Sequence, residues 1–583
     1  MQDLVQVDRI GDTAVLILAH PPVNALSAGL RLALMQALTV AMQDASVGAI
    51  VLRGQGRGFS AGADIAEFGK PNPAVRLGQL ARMIETSPKP VIAALHGVAL
   101  GGGLELALAA HYRIADAGAL LGLPEVNLGL LPGAGGTQRL PRLIGAPDAL
   151  RLMLTGAPIS AVEALALGLI DRVVEQDLTG AALAMAAEGL MPRRSCDMRR
   201  GFKDMAAYQD AIAAARRGPV TLAQTRILDC VEAAALLPFA QGLAAEEMAF
   251  ADLSATPQAA GLRYAFFTER RAAVPPPAVA AIAAPQLDRL GIWGADDMAA
   301  DLVFQALSAG MHVIWAAPDR DTLVQALGRT AARQEQAVVA GTISEDTRDA
   351  DWARLTTALD PAALTSADLT LATATVNPPT MQASLGQAGL GAVAGQGGPD
   401  TAITVPYATG GLAELSQRPD APAEVTALLM ALARRLNWRL TFAGPDGPIE
   451  LRLRQVLAAA TDHLAAQGVT PDQIAAALTG TAPDSRHTTE IVTASLAAMA
   501  AEGARMVAGG CARRPLDVDA VALLAGLLPR WMGGPMFQAD QRGLLVLRQD
   551  LRRRAPEAPV FTPPRLLDDL ISEGQTFASL NTG

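Results

Sequence analysis

Short apolar runs alternate with amphipathic stretches along the first part of the chain. Residues 14–18 (AVLIL), 49–52 (AIVL) and 91–95 (VIAAL) have the length and composition of buried strands. Between the first two runs, residues 30–45 place apolar side chains at helical spacing. Strands that alternate with helices predict an α/β domain in the N-terminal part of the chain.

Beyond that part the pattern becomes mainly helical and then returns to alternation. Residues from about 191 to 280 favour helices, and the run VPPP at 274–277 marks a boundary. Residues 290–293 and 311–315 predict two strands with a helix between them, which is the layout of a dinucleotide-binding βαβ unit. The remaining chain is Ala-rich and predicts packed helices.

Length, charge and cysteine content narrow the class of protein. A chain of 583 residues is too long for one hydrophobic core and predicts several domains. The net charge of -10 argues against a nucleic acid partner. No apolar run is a convincing membrane span, and we expect neither a signal peptide nor a peroxisomal address, so a cytoplasmic location is predicted. The three cysteines are too widely spaced to predict a disulfide framework or a metal site.

The candidate chemistry lies between residues 96 and 140, where Glu105 and Glu125 stand in almost wholly apolar sequence. Three glycines at 101–103 join the strand at 91–95 to a predicted helix at 104–110, and a Gly-rich turn follows at 133–136. Glycine lets backbone approach a ligand closely, and a helix start presents unpaired N–H groups with a partial positive charge. This joint therefore suits a developing oxyanion, with Glu105 beside it.

Each of these features also has a simpler interpretation. Glu105 alone is compatible with a partner of the helix dipole, and Glu125 alone with a loop carboxylate. The segment SAGAD at 60–64 is compatible with an ordinary strand-to-helix turn that Asp64 caps. Burying a carboxylate is costly unless it is paired or has a function, so the two glutamates beside the glycine joint together favour a catalytic site.

The stretch resembles the enoyl-CoA hydratase/isomerase (crotonase) family, in which a GGG-x-E helix start is followed by P-E and G-x-GGTQRL. Three further blocks match in order: PPVNALS at 21–27, GRGFSAGADIAEF at 56–68 and LTGAPISAVEALALGLIDRVV at 154–174. The resemblance implies a spiral of ββα units. It also implies hydration of a trans-2-enoyl-CoA, with water added at C3 and a proton at C2, and isomerisation as a second activity.

The resemblance implies roles for individual residues. The backbone N–H groups of Ala63 and Gly102 would bind the thioester oxygen as an oxyanion hole. Glu105 and Glu125 would hold and activate the water, one as base and the other as acid or orienter. Asn24 and His96 are interpreted as structural. The remaining residues expected to line the acyl-CoA site are Ala61, Gly62, Asp64, Ile65, Gly101 and Gly133.

The rest of the chain resembles proteins in which a hydratase is fused to a 3-hydroxyacyl-CoA dehydrogenase. Residues 226–250 and 266–270 resemble their linker, which folds back onto the hydratase domain and suggests a monomer. The dinucleotide-binding pattern G-x-G-x-x-G appears here as Gly294, Asp296 and Ala299. An Asp at the second position places bulk and negative charge where pyrophosphate would lie. The acid expected to bind the ribose aligns with Ala317.

The dehydrogenase catalytic residues also depart from the family. The position of the catalytic histidine holds Ala402, its carboxylate partner is retained as Glu414, and Leu451 replaces an asparagine. We therefore expect NAD binding and dehydrogenase activity to be lost. No cofactor and no metal are expected, and CoA enters only as part of the substrate.

The expected architecture is α/β with four parts. A crotonase ββα spiral occupies residues 1–190, a helical linker 191–284, a degenerate Rossmann-like domain 285–430, and a shortened all-helical dehydrogenase-like domain 431–583. The degenerate portion is expected to support the linker, cap the site or bind a partner such as a thiolase. Two alternatives stay open: a working bifunctional hydratase and NAD-dependent 3-hydroxyacyl-CoA dehydrogenase, and a non-catalytic subunit that binds acyl-CoA.

Overall fold

The chain divides into two compact units, Met1–Arg263 and Tyr264–Gly583. The computed structural model describes residues 4–67, 75–218, 221–283, 285–373, 390–394, 403–405, 412–417, 423–444, 448–482 and 485–581. The division between the units falls inside the helix Pro257–Ala272.

The first unit contains two sheets. Its strands are β1 (Val5–Ile10), β2 (Thr13–Leu18), β3 (Ala49–Gly54), β4 (Val91–Leu95), β5 (Val98–Leu100), β6 (Tyr112–Asp116), β7 (Leu120–Gly122), β8 (Ile159–Ser160) and β9 (Arg172–Val174). A six-stranded sheet has the order β1-β2-β3-β4-β6-β9 and a three-stranded sheet the order β5-β7-β8. In the larger sheet only the β1–β2 pair is antiparallel. Every residue of β2 and β4 is buried, as expected for parallel strands covered on both faces.

Helices surround these sheets. They are α1 (Ala28–Gln43), α2 (Leu77–Glu85), α3 (Gly102–Ala109), α4 (Gly136–Thr155), α5 (Ala161–Leu167), α6 (Leu178–Ala186), α7 (Met205–Arg217), α8 (Leu222–Leu236), α9 (Phe239–Ser254) and α10 (Pro257–Ala272). The predicted strands and the first helix are thereby confirmed. The side chain of Ser27 accepts a hydrogen bond from the Leu30 N–H and so fixes the start of α1.

The glycine joint is more elaborate than the sequence predicts. The strand β5 lies between β4 and the helix, and pairs in parallel with β7. The helix α3 begins at Gly102, earlier than the expected residue 104, and Gly101 precedes it with a φ of +51°. Three residues are too few to give a strand pattern in sequence, so the tertiary pairing decides this segment.

The linker helices pack against the first domain, which confirms the expected fold-back. The buried side chain of Gln138 on α4 donates to the Cys230 carbonyl on α8, at 2.9 Å. On α7, the buried Tyr208 hydroxyl donates to the carbonyl of Val231. The turn that precedes α4 is thus enclosed by helices from later in the chain.

The second unit contains a mainly parallel sheet. Its strands are β10 (Arg289–Trp293), β11 (His312–Ala316), β12 (Leu355–Ala358), β13 (Leu369–Thr373), β14 (Leu390–Ala394), β15 (Ile403–Val405), β16 (Leu412–Gln417) and β17 (Arg439–Ala443). The strand order is β12-β11-β10-β13-β14-β15-β16-β17, and β16 is antiparallel to β15. The order reverses between β10 and β13, as in doubly wound dinucleotide-binding folds, which confirms the Rossmann-like prediction. The sheet continues to Ala443, beyond the expected boundary at residue 430.

The remaining helices are α11 (Pro277–Ala280), α12 (Asp297–Ser308), α13 (Arg320–Val339), α14 (Glu345–Trp352), α15 (Ala423–Arg435), α16 (Ile449–Ala466), α17 (Pro471–Thr479), α18 (Arg486–Ala508), α19 (Pro515–Leu524), α20 (Pro535–Arg542), α21 (Leu544–Arg554) and α22 (Arg565–Ser572). After β17 the described chain is helical, as predicted. Among the described residues, α18 alone is long and apolar enough to cross a membrane, and 67% of its apolar window is buried within the protein. Such burial is typical of a core helix.

Candidate active site

Glu105 lies in the first turn of α3 with only 3% of its surface exposed. Its Oε1 accepts hydrogen bonds from the backbone N–H groups of Ala134, at 2.7 Å, and Gly136, at 2.8 Å. A Cβ on Gly136 would lie only 2.8 Å from this oxygen, so the turn needs glycine there. Burial raises the pKa of Glu105 to about 7, although the two N–H donors and the charge of Arg139 favour the ionised form.

Glu125 begins a short 3-10 helix, Glu125–Leu128. Its Oε2 is buried and has no hydrogen-bond partner among the described residues. A Cβ on Gly101 would lie 2.8 Å from Oε1, so the carboxyl group packs directly against the glycine joint. Burial raises the pKa of Glu125 well above its ordinary value, and the charges of Glu105 and Glu246 raise it further. Glu125 therefore retains a proton more readily than Glu105.

The two predicted oxyanion donors lie side by side. A Cβ on Gly102 would lie 3.4 Å from the Ala63 nitrogen, and a Cβ on Gly62 would lie 3.3 Å from the Gly102 nitrogen. Gly102 is the first residue of α3, so its N–H has no acceptor within the helix. Gly62 has a φ of +99° and faces the Leu100 carbonyl, which leaves no room for a side chain. The structure thus brings two distant segments together at the site the sequence predicts.

Hydrogen bonds hold these segments in register. The Leu100 N–H donates to the Ser60 carbonyl at 3.0 Å, and the Ser60 hydroxyl donates to the Asn24 carbonyl at 2.7 Å. The buried Asn24 amide donates to the Gly58 carbonyl at 2.9 Å. The His96 ring contacts the carbonyl of Gly56 at 3.1 Å. Asn24 and His96 therefore have the structural roles expected of them.

The other expected lining residues surround this joint. Ala61 is exposed, while Asp64 and Ile65 are half-buried at the start of the 3-10 helix Ile65–Glu67. Gly133 lies beneath the ring of Phe250 on α9, where an added Cβ would approach the ring to 2.5 Å. A linker residue thus covers the Gly-rich turn.

A third buried carboxylate, Glu246, completes the surroundings of this turn. It lies on α9 with 1% of its surface exposed, and it accepts hydrogen bonds from the Gly135 N–H at 2.6 Å and the Thr137 N–H at 3.0 Å. Burial raises the pKa of Glu246 to about 8, and the charge of Glu105 also raises it. This residue lies in the linker stretch at 226–250, outside the four motif blocks of the first domain.

Helical spacing in the linker could have indicated Glu246. Gly242, Glu246 and Phe250 are spaced four residues apart in a predicted helix, so they share one face. A Cβ on Gly242 would collide with the Gln138 side chain, which shows that this face packs on α4. An acidic residue on the buried face of a helix needs hydrogen-bond donors, and here the turn supplies them.

A buried ion pair supports the turn from the other side. The Arg139 guanidinium donates to both oxygens of Glu85, at 3.0 and 2.8 Å, and both side chains are almost wholly buried. Arg139 also donates to the carbonyl of Ala134 at 3.0 Å. Such a paired, forked contact fixes the start of α4 in place.

The second unit places its own carboxylate where a dinucleotide would bind. The Asp296 side chain accepts a hydrogen bond from the Ala299 N–H at 2.8 Å and so caps α12. This N-terminus is the position that holds pyrophosphate in dinucleotide-binding folds, so the residues here do not fit that group. Gly294 has a φ of +127°, and Ala317 is fully buried without a polar side chain to offer a ribose.

The expected dehydrogenase carboxylate is used within the fold. Glu414 is buried on β16 and accepts hydrogen bonds from the Ile449 and Glu450 N–H groups at the start of α16. Burial raises the pKa of Glu414 to about 8. Leu451 lies in the first turn of that helix, whereas Ala402 lies outside the described residues. Within the described ranges, no group of three or more His, Cys, Asp or Glu residues is arranged to hold a metal ion.

Comparison with known proteins identifies the first unit. Residues 11–216 match the sequence model described as "Enoyl-CoA hydratase/isomerase", and this part of the chain belongs to that family. The predicted family is thereby confirmed.

The chain is also similar to fused two-activity proteins, as predicted. It is 45% identical over 265 residues to the "Peroxisomal bifunctional enzyme" of Danio rerio, covering 44% of this chain and 37% of that protein. It is 41% identical over 336 residues to the protein of the same name from Homo sapiens, covering 55% and 46%. A "Probable enoyl-CoA hydratase" of Bacillus subtilis is 54% identical over 165 residues, covering 27% and 64%. The chain thus spans less than half the length of these bifunctional relatives, and its own cytoplasmic location stays a prediction.

Proposed function

We propose that the chain is an enoyl-CoA hydratase that converts trans-2-enoyl-CoA and water into 3-hydroxyacyl-CoA. The observation that carries this proposal is the difference between the two buried carboxyl groups beside the glycine joint. Glu105 is held by two N–H donors, whereas the Oε2 of Glu125 has no partner among the described residues. Hydration requires one group that accepts a proton and one that delivers a proton.

The oxyanion is stabilised by the backbone. As water adds to C3, negative charge develops on the thioester oxygen, and the N–H groups of Ala63 and Gly102 would bind it; their closeness supports this assignment. Donors fixed before the reaction need no reorganisation in the transition state, and loss of one typically costs about 10²- to 10³-fold in kcat. The small residues at 60–64 leave room for the acyl thioester against this backbone.

The protons balance over one turnover. Ionised Glu105 accepts a proton from water while the water oxygen forms the bond to C3. Protonated Glu125 donates its proton to C2, and the thioester carbonyl reforms. Transfer of the new proton from Glu105 to Glu125 through solvent restores both groups. The lower pKa of Glu105 and the higher pKa of Glu125 support this division of roles.

Isomerisation of the double bond is a second activity that the same site supports. A single carboxyl group is sufficient to move a proton between C2 and C4, and the buried Glu125 beside Gly101 has no competing partner at Oε2 among the described residues. The matched family includes isomerases by its own description.

We also infer that the second unit does not bind NAD and has no dehydrogenase activity. Asp296 already caps the helix at the pyrophosphate position, and Asp297 pairs with Arg329 at 2.9 Å in the same turn. Glu414 is held by backbone N–H groups. Carboxylates at the start of α12 favour that helix and repel phosphate.

One assay tests these proposals. Purified protein is given crotonyl-CoA, loss of the enoyl-thioester absorbance is followed, and NAD is then added while NADH is measured. We expect hydration without NADH. Formation of NADH would establish the bifunctional alternative instead.

Glu125→Gln separates catalysis from binding. We expect kcat to fall by about 10²- to 10⁴-fold, the usual contribution of a general acid or base, with little change in the affinity for 3-hydroxybutyryl-CoA. Unchanged turnover in this variant would contradict Glu125 as the proton donor, and acyl-CoA binding by a wild-type protein that does not hydrate would favour the non-catalytic acyl-CoA-binding subunit.

A further inference from the structure

The N–H groups of a single turn are divided between two carboxylates. Those of Ala134 and Gly136 donate to Glu105, at 2.7 and 2.8 Å. Those of Gly135 and Thr137 donate to Glu246, at 2.6 and 3.0 Å. Because successive N–H groups point to opposite sides, the turn cannot shift toward one carboxylate without lengthening its bonds to the other.

We propose that Glu246 is a positioning residue of the hydration site, which fixes the turn at 133–137 and thereby holds Glu105 in place. This inference rests on the proposed hydratase function. It makes the linker helix α9 part of the catalytic apparatus, since the residue comes from outside the four motif blocks of the first domain. A catalytic group must be held to a fraction of an ångström, and buried hydrogen bonds provide that restraint.

The charge of Glu246 affects the pKa of neighbouring groups, so its contribution to the site can be measured by pH titration of activity. Glu105 binds the N–H groups on one side of the turn, and the charge of Glu246 raises the pKa of Glu125. The Arg139 guanidinium lowers the pKa of Glu246, and the nearby Cys230 thiol has a pKa raised by burial and by Glu246. Removing the charge of Glu246 therefore changes the titration of Glu125 as well as the geometry of the turn.

The adjacent glutamate is a matched control. Glu247 lies on the same helix, but its side chain is 59% exposed and pairs with Arg76 at the surface. Glu246→Gln keeps an oxygen for one N–H donor and places an amide against the other, at almost unchanged volume. Glu247→Gln makes the same chemical change without touching the turn.

The experiment compares full-length wild-type protein with these two variants. Hydration of crotonyl-CoA is measured across pH, and amide hydrogen exchange is measured for the peptide that covers residues 133–137. For Glu246→Gln we expect kcat to fall by about 10- to 100-fold with little change in KM, as for a displaced catalytic group. The alkaline limb should move to lower pH, because Glu125 loses the charge that raises its pKa. Exchange in the turn should become faster, and Glu247→Gln should match wild type.

Other results would overturn the proposal. Unchanged exchange at 133–137 would show that Glu246 does not restrain the turn, and a kcat loss that is equal at every pH would indicate a merely structural role. If Glu246→Gln does not fold, Thr137→Val decides, since it removes the hydroxyl bond to Glu246 and takes from the Gln138 amide one acceptor, while that amide keeps its bond to the Cys230 carbonyl: lower kcat with retained KM supports the proposal, and wild-type kinetics contradicts it. If wild-type protein does not hydrate, the hydratase proposal fails, while the exchange comparison still decides whether Glu246 fixes the turn.

Discussion

Glu105 and Glu125 are both buried carboxyl groups beside the glycine joint, but their oxygens have different hydrogen-bond partners. Backbone donors stabilise the charge on Glu105, whereas the buried Oε2 of Glu125 meets no donor among the described residues. Hydrogen bonds to an ionised carboxylate lower its pKa, while desolvation and like charge raise it. The surroundings thus favour ionisation at Glu105 more than at Glu125, although the two side chains are chemically identical.

The pH dependence of kcat/KM follows from these states. Glu105 must be ionised to accept a proton, and its pKa is raised to about 7. We therefore expect activity to fall as the pH drops below about 7, and to fall again at high pH when Glu125 loses its proton. Initial rates with crotonyl-CoA over the accessible pH range measure this. A flat profile on the acidic side would contradict Glu105 as the base.

At this scale the sequence predicts the candidate catalytic pair but not Glu246, the residue that we propose restrains it. Glu105 and Glu125 stand among glycines and apolar residues, where a buried pair of carboxylates has few roles besides catalysis. Glu246 stands beside Glu247 in an Ala-rich helix, where helical spacing puts the two side chains on different faces, but only packing shows which face is buried. Its donors come from a turn that is distant in sequence, and local pattern carries no information about such contacts.

Among the elements, the joint between β5 and α3 sets the geometry of the site. Gly101 adopts a φ of +51° before the helix, and its N–H donates to the Gly122 carbonyl on β7 at 2.9 Å. The strand β5 therefore anchors the joint to the small sheet, and α3 starts beside the Ala63 backbone. The backbone at Gly101 therefore determines both where α3 begins and where the Glu125 carboxyl group packs.

Gly101→Ala tests whether the backbone conformation at this joint is needed for catalysis. The new Cβ would lie 2.8 Å from Oε1 of Glu125 and would occupy a backbone conformation that favours glycine. We expect kcat to fall by at least about tenfold, since a displaced proton donor is a poor one. Gly11→Ala is the control, because Gly11 has a φ of +59° with nothing within 4 Å. Equal kinetic effects of the two substitutions, measured at matched thermal stability, would contradict a specific contact with Glu125.

Element prediction from sequence succeeds where the pattern is long and local. The buried strands β2 and β4 and the helix α1 all follow from a few neighbouring residues. The strand β5 and the early start of α3 do not, because both depend on pairing with β7. The paths of α8 and α9 over the turn before α4 required the family resemblance as well as the helical pattern.

At the scale of the whole molecule, each unit has its own core and its own use of buried carboxylates. In the first unit Glu105 and Glu246 accept hydrogen bonds from a turn beside a candidate oxyanion hole, whereas in the second unit two buried acids cap helices. Asp519 accepts hydrogen bonds from the N–H groups of Met536 and Phe537 at the start of α20, as Glu414 does at α16. Buried acids in the second unit thus stabilise the fold.

Two truncated chains separate the contribution of the linker helices to activity from the contribution of the second unit to stability. A chain ending at residue 204 lacks α7, α8 and α9, and so leaves two N–H groups of the turn without Glu246. We expect it not to hydrate crotonyl-CoA. A chain ending at residue 272 keeps these contacts and should hydrate. It should unfold at a lower temperature than the full chain, because Tyr264 loses its bond to Asp519 and Glu269 its ion pair with Arg530. Hydration by the shorter fragment at the full-chain rate would contradict this division.

The turn at 133–137, whose N–H groups donate to Glu105 and Glu246, is synthesised before Glu246. Glu246 follows Gly135 by 111 positions along the chain, so the donors of the turn leave the ribosome long before their acceptor. The first domain can fold around its sheets while this turn still lacks one of its two restraints. If Glu246 holds Glu105 in place as proposed, we expect hydration to begin only after the linker helix α9 has been synthesised and has packed over this turn.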